Sequence, residues 1–455
     1  MTVARKLAEF LTGVSVADLP AQAMDHAAMV IASTFASAAF GTTIESAQIV
    51  RDLAREQGGR PDSSIWFDMG EKLPVSQAAR VNAMLSDAAA SDDSDLRNIV
   101  HAGTPLTAAS LAMAERLGGS GEDVLAAIVI GYEAAGRLSE PVTPGLRDRG
   151  FHGCHGAVFA AAVAAGRLLR LDVPQMTQTI AIAATSIGGL ATAADTSVAR
   201  EYHAGLAATL GVNAAQAAQR GYKAETRILE TYQGFFEVYG GVAGAAAGEA
   251  ALRDMGASWD IVTDMAIKLV PGGHPYHALA EASAKAARAG GFKAVEIESI
   301  EVSRPGLTKL GGPKHPADLI DMAHSPAYFL AAGAADHTFG WANASPAKIA
   351  DPVIHGLIDK VRVGPQPADH AALYRQGATV TIRTHDGRFA RSTVLLPHGS
   401  GALGIDWADV DAKYRALMPA SGLGEAAIDT SLRAIHDVRR SPNVSELIGL
   451  LRVNS

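Results

Sequence analysis

"IKLVPGGHPYH", residues 267–277, separates two textures of sequence. On its N-terminal side the pattern is helical almost throughout. Apolar residues recur at three and four spacing over 22–39, 44–56, 75–90, 105–118, 122–137 and 156–169, the period of helices with a buried face. Pro20, Gly58-Gly59, Pro105, Gly118-Gly119, Pro141, Pro144 and Pro174 fall between these segments, where first-turn prolines and helix stops belong. Residues 1–266 are therefore expected to form an all-helical domain with short connections.

On the C-terminal side, "AVEIESIEVSR" at 294–304 alternates apolar and polar residues, and "ATVTIRTHDGRFARSTVLL" at 378–396 reads as two strands about Asp386-Gly387, a strong hairpin signal. Residues 267–400 are expected to form a smaller α+β domain, a short antiparallel sheet of three or four strands with helices such as 276–290 and 325–335. From 406 onward "WADVDAKYRALMP" and "GEAAIDTSLRAIHDV" turn helical again, and 401–455 is expected to complete the first domain. The fold class is thus mainly α with a second α+β domain. A chain of 455 residues exceeds the range in which one core keeps growing.

Hydrophobic residues make up 48% of the chain but aromatic ones only 5%, and there are 46 glycines, so small side chains fill the interior. The net charge of −8 and the scattered Lys and Arg leave no basic stripe, so no nucleic-acid partner is expected. An anionic ligand must meet a local cluster. The apolar stretches 157–166 and 179–194 are too short or too broken for the ~20 residues of a membrane span, so no membrane partner is expected. "MTVARKLAEFLTGV" has Arg5, Lys6 and Glu9 at amphipathic spacing and lacks the apolar core of a signal peptide, which points to a cytoplasmic protein. The single cysteine, Cys154, excludes an intrachain disulfide, a Cys-based zinc site and a protein-held iron–sulfur cluster. Cys154 reads either as a nucleophile flanked by His152 and His155 or as a packing thiol among alanines. No H-E-x-x-H, G-x-S-x-G or P-loop is present, and the glycines of "YGGVAGAAAGEAALRDMG" at 239–256 miss the dinucleotide spacing.

Five places gather titratable residues. "SDDSDLRNIVHAGTP", 91–105, holds Asp92, Asp93, Asp95, Arg97 and His101, whose acids read either as chemistry or as solvated turn and cap positions. "RGFHGCHG", 149–156, sets His152 ahead of a helix, where the positive end of the helix dipole keeps an imidazole neutral and usable as a base; a structural histidine is the alternative. "ADTSVAREYHAG", 194–205, carries Arg200 and His203. The Arg200 guanidinium suits a carboxylate and cannot act as a base, unless it pairs with Glu201 instead. "KLVPGGHPYHALAEA", 268–282, holds Lys268, His274 and His277 at the expected domain junction, a favoured place for pockets. "HSPAYFLAAGAAD", 324–336, contributes Tyr328, which at helical spacing also reads as core.

These segments, in this order, resemble the MmgE/PrpD family, whose members include 2-methylcitrate dehydratases, cis-aconitate decarboxylases and iminodisuccinate epimerases. "SQAARVNAMLSDAAASDDS" is similar to the family segment ending in D-F-D-D-S/T, "RGFHGCHG" to G-F-H-P-T-S, and "SVAREYHAGLAA" to M-T-K-x-x-H-A-G-R-A-A. "ILETYQGFFEVYGG" resembles L-E-G-x-x-G-F-F-x-x-Y-G, and "HSPAYFLAAGAADH" resembles S-x-x-Y-x-x-A-x-A-L-x-D-G. The resemblance implies a large helical domain, a smaller α+β domain, a homodimer, and an active site in the cleft between domains that uses no metal or organic cofactor. It places Asp93, His101, His152, Lys268 and Tyr328 on catalytic positions. Ala90 stands where the first aspartate of D-F-D-D is usual, Arg200 where a lysine is usual, and Gly153-Cys154-His155 replaces P-T-S. A fixed cation in place of a lysine means that proton transfer there cannot be copied unchanged.

The expected function is a cofactor-independent lyase, a dehydratase, that removes a proton beside a carboxylate of a small polycarboxylate. An epimerase, a non-oxidative decarboxylase, or a binding protein that has lost its chemistry are the alternatives. His152 or His101 is the expected base; Arg200 and Lys268, with His274 or His277, hold carboxylates; Tyr328 or the other histidine supplies a proton; Asp93 orients a histidine or cation.

Overall fold

The structure, a computed structural model, describes residues 1–186, 188–367 and 371–453; the last two residues of the expected C-terminal completion lie outside this range. The chain divides into two compact units, Met1–Ile267 with Asp406–Ser455, and Lys268–Ile405.

The first unit is built on helices Ala21–Gly41, Val75–Ala88, Gly103–Leu117, Gly121–Ser139, Cys154–Leu168 and Ala199–Gln219. Helix Cys154–Leu168 is buried on every side from Cys154 to Gly166, as an all-apolar helix must be, and packs against Gly121–Ser139 and Ala199–Gln219. Gly211 permits the close approach of Ala199–Gln219, because a Cβ there would come within 2.6 Å of the Ala161 Cβ. Among the described residues, Ala21–Gly41 is the one helix long and apolar enough to cross a membrane, a stretch the apolar-run reading above passes over. Its most apolar window is 89% buried within the protein, as in a core helix.

Two short ribbons interrupt the helices, where an all-helical unit is expected. β1 (Ser63–Ser64) pairs with β2 (Lys72–Leu73). β3 (Asp93–Asp95) pairs antiparallel with β4 (Met265–Ile267), setting Asp93 opposite Ile267. Aspartates are poor strand formers, so only the distant partner makes this segment extended.

Residues beyond 405 pack onto the first helices. Helix Trp407–Leu417 lies against Ala21–Gly41, and its buried Lys413 donates 2.8 Å to Ser33 Oγ and also to the Ser91 carbonyl.

In the second unit, β5 (Ile297–Ser303), β6 (Val361–Val363), β7 (Ala378–Thr384) and β8 (Phe389–Val394) form a sheet of order β6-β5-β7-β8. β7 is antiparallel to β5 and β8, but β6 is parallel to β5, so the sheet is mixed rather than antiparallel. A parallel neighbour needs a long crossover; residues 304–360 supply it and carry helices Pro326–Asp336 and Pro352–Ile358. Helix His274–Gly290 packs on β7 and β8 and on Pro326–Asp336. The core joins Leu279, Phe329 and Leu330 to Ile300, Val302, Val380 and Ile382.

Candidate active site

The loop after β3 turns back at Ile99, and Asp95 N donates to the Val100 carbonyl at 2.9 Å. His101 therefore returns alongside the strand. Its Nδ1 lies 2.7 Å from Asp92 Oδ2 and 2.9 Å from the Asp93 carbonyl. The Asp93 carbonyl can only accept, so Nδ1 carries the proton and Nε2 is the basic nitrogen of the neutral ring. A carboxylate behind an imidazole also favours the imidazolium when it forms.

Asp93, next in the chain, is held differently. Its Oδ2 accepts from the Tyr132 hydroxyl at 2.9 Å and from Gly103 N at 3.1 Å. Burial, and then the Asp92 charge, push its carboxyl up to about 6, against the opposing pull of Tyr132, His101 and Gly103. Asp92, Asp93 and Asp95 are all buried and so are not solvated, but the turn and cap reading holds in part: Asp95 Oδ1 accepts from Arg97 N at 2.8 Å and Asn98 N at 3.2 Å, and Asp93 accepts from Gly103 N at the start of the next helix. Arg97 ties the same loop to Asp260 and, at 3.0 Å, to Glu140.

His152 stands two residues before helix Cys154–Leu168. Its N–H donates 3.1 Å to the Gly189 carbonyl, and its own carbonyl accepts from His155 Nδ1 at 2.8 Å. The His152 ring stacks over His101 at 6.1 Å between centroids and tilts against His203 at 5.2 Å. Its Nδ1 is 3.3 Å from His203 Nδ1. Burial holds its titration well below the usual histidine range, and His101, His203, Arg200 and Arg147 add to the effect. His152 is thus held toward the neutral imidazole by burial first and by the neighbouring positive charges after it. His155 is depressed to about 4, chiefly by burial. Cys154 is buried, and burial drives its thiol well above the ordinary value, which favours the packing reading over the nucleophile.

Arg200 does not pair with Glu201. Its Nε lies 2.9 Å from Asp87 Oδ2 and a terminal nitrogen donates 2.5 Å to the Asp87 carbonyl, while Glu201 accepts from Ser46 Oγ. Asp87 escapes the sequence reading. Its one signal is an acid on a helix whose residues from Val81 to Ala88 are all buried, and a buried carboxylate calls for a cation. Tyr132 and His155 give still less away, the first a tyrosine on an apolar helix, the second a neighbour of a stronger candidate.

In the second unit Lys268, His274 and His277 are buried. His277 Nε2 donates 3.2 Å to the Gly272 carbonyl, and its ring lies 4.7 Å from that of His274. His277 also lines a cavity of about 240 Å³ with Glu281, Lys285, Arg288 and His398. Tyr328 is fully buried in the core, and its hydroxyl donates 2.8 Å to the Asn343 carbonyl. A larger cavity of the first unit, about 720 Å³ and lined by Asp123, Arg167 and Arg170, includes none of the clustered histidines.

Within the first unit the structure brings together His101, His152, His203, Asp92, Asp93 and Arg200. A buried imidazole held below its usual titration range, an imidazole backed by a carboxylate and a guanidinium paired with Asp87 thus lie together on a mainly helical scaffold, with a separate α+β unit following it in the chain. The chain belongs to the MmgE/PrpD family, matching its N-terminal domain over residues 5–246 and its C-terminal domain over 271–434. It is 27% identical over 249 residues to a cis-aconitate decarboxylase of Aspergillus terreus, a match covering 52% of this chain and 50% of that protein. It is 22% identical over 464 residues to the human cis-aconitate decarboxylase, covering 99% and 95% of the two chains. The chain thus spans about half the length of the Aspergillus relatives it matches.

Proposed function

We propose that the protein is a lyase that acts on a small polycarboxylate through an enolate-like carbanion, without a metal or organic cofactor. The observation that carries this reading is His152, a buried imidazole kept neutral between His101, His203 and Arg200. A hydrogen beside a carboxylate is weakly acidic, so its removal needs an unprotonated base and nearby positive charge to stabilise the developing enolate. His152 is the base. Arg200, backed by Asp87, supplies a charge that does not titrate away. His101, entering the step as the imidazolium that Asp92 favours, gives its Nε2 proton to the departing group and is left neutral with its hydrogen on Nδ1. This role goes to His101 in preference to Tyr328, whose hydroxyl donates to Asn343.

Dehydration is the first reading for the reaction, because a β-hydroxyl leaves readily only when protonated and the His101–Asp92 pair is suited to protonating it. Decarboxylation is the second, and the relatives named cis-aconitate decarboxylase favour it. There the carbanion forms as carbon dioxide leaves, and His101 protonates carbon.

The test is proton NMR of the purified protein with hydroxy-, unsaturated and amino-polycarboxylates in deuterated water. Dehydration yields an alkene that absorbs in the near ultraviolet; decarboxylation releases carbon dioxide. Deuterium at a stereocentre with neither product makes the protein an epimerase, and no change in any member of the panel removes the enzyme reading. Activity abolished by chelation and restored by one divalent ion overturns cofactor independence. The proposal includes a cytoplasmic homodimer, and a monomer by light scattering at assay concentration contradicts that part.

A further inference from the structure

His203 has no task in the chemistry above, yet its Nδ1 lies 3.3 Å from that of His152. An imidazole nitrogen offers either an N–H or a lone pair, and a hydrogen bond needs one of each. Two imidazolium rings would set two N–H groups head to head, so the pair accommodates at most one positive charge in this geometry. The alignment is built in. Gly189 accepts the His152 N–H at 3.1 Å, and at φ +125° it has no side chain to fill the space beside His203, where a Cβ would stand 3.0 Å from Nδ1. One glycine therefore holds His152 by its backbone and leaves room for the second ring.

We propose that His203 is the proton relay of this site, acting through His152 and not on the substrate. The inference rests on the lyase reading, since His152 must first take a proton. In the resting pair His152 carries its hydrogen on Nδ1 and His203 carries its own on Nε2. His152 Nε2 bonds the substrate proton as the C–H bond breaks and its electron pair stays on carbon. The His152 Nδ1–H bond then breaks as His203 Nδ1 gains that proton, and His203 releases the proton on Nε2 to water. His152 is left neutral with its hydrogen on Nε2, ready to be returned to substrate or reset by the reverse transfer.

The charges facing the two rings favour this direction. Burial opposes an imidazolium on either ring, and His101, Arg200 and Arg147 further oppose it on His152. Asp87, on helix Val75–Ala88, works the other way on His203. Glu201 lies beside Arg200 on the His203 helix, and His155 meets the backbone of His152.

The test uses His203→Asn, whose amide can still bond His152 Nδ1 but cannot carry a proton. With a substrate turned over by the wild type, the relay predicts a fall in kcat of about 10- to 100-fold, the lower part of what a proton-transferring residue contributes. KM should stay near wild type, and added imidazole should restore kcat in proportion to its concentration. Wild-type turnover, or a loss that imidazole does not restore, reduces His203 to packing and overturns the relay. Nitrogen NMR of the histidine rings reads the pair without activity. A coupling between the two Nδ1 atoms, present in the wild type and lost in His203→Asn, supports the shared proton, and its absence in the wild type overturns it. If no polycarboxylate reacts, the lyase reading fails while this measurement still decides whether the pair shares a proton.

Discussion

Asp92 and Asp93 are neighbours in the chain with opposite electrostatic tasks. Asp92 faces the Nδ1–H of His101 and serves best as a carboxylate. Asp93, buried against Asp92 and bonded by Tyr132, rises to about 6 and serves as an anchor. A carboxyl whose folded value lies above its ordinary one binds more protons folded than unfolded in the interval between them. Its contribution to stability is complete below about pH 4 and is lost as pH rises through 6. Asp93→Asn, which keeps an acceptor for Tyr132, should therefore flatten the decline in Tm between pH 4 and pH 7, and an unchanged slope refutes the assignment. At the same scale, His152→Ala should lower kcat by about 100-fold or more, the ordinary worth of a general base, while circular dichroism stays that of the wild type. A loss of only a few-fold makes His152 a packing residue. The sequence singles out His152 by its place before an apolar helix, but the causes of its lowered titration are three-dimensional: burial comes first, and His101 and Arg200, remote in the chain, reach it only through the fold.

Helices were the legible elements, because a stripe of apolar residues at three and four spacing marks a buried face whatever it packs on. The expected 44–56 and 276–290 appear as Glu45–Gln57 and His274–Gly290. The β7–β8 hairpin was legible for the same reason, its alternation and its Asp386-Gly387 turn being local. β3 was not, since Asp-Ser-Asp becomes a strand only by pairing with Met265–Ile267. Nor was β6, whose three residues are too few to show alternation and whose parallel register depends on a crossover. The β3 element also sets a tight limit on its neighbour. Gly103 opens helix Gly103–Leu117 directly over Asp93, and a Cβ there would come 2.6 Å from the Asp93 Cγ. Alanine is the better helix former by up to ~1 kcal/mol, but forcing atoms into a packed interior costs ~1–3 kcal/mol. Overpacking should prevail: Gly103→Ala should lower the denaturant midpoint and the turnover together, because Asp93 must move and the strand carrying Asp92 moves with it. A raised midpoint contradicts this account.

For the whole chain, the consequential fact is that residues following the α+β unit in sequence hold the first unit together. The helix Ala21–Gly41 is apolar enough to need cover on every side, and part of that cover comes from Trp407–Leu417 and the turns after it. The contact is specific as well as apolar. The buried Lys413 ammonium donates to Ser33 Oγ and to the Ser91 carbonyl, Ser91 is the residue before Asp92, and Ser37 Oγ also donates to that carbonyl, at 3.0 Å. Further along, Gly121 N donates to the Ser441 carbonyl at 2.9 Å and Val444 N to the Gly119 carbonyl at 3.0 Å. Lys413 thus holds the residue two before the strand beside which His101 lies, and Ser441 and Val444 hold the start of helix Gly121–Ser139. Removing residues 406–455 should leave a chain without a cooperative thermal transition, because the apolar face of Ala21–Gly41 would be open to water. The point variant separates cover from positioning. Lys413→Met keeps most of the apolar bulk and removes the ammonium, and losing hydrogen bonds from a charged group costs ~1.5–3 kcal/mol each. Its Tm should fall while the transition stays cooperative. At temperatures where the variant is fully folded, its kcat should still lie below wild type, because the Ser91 carbonyl, next to Asp92, has lost the Lys413 donor. Full kcat in the folded variant would mean that the tail stabilises the unit without positioning the site.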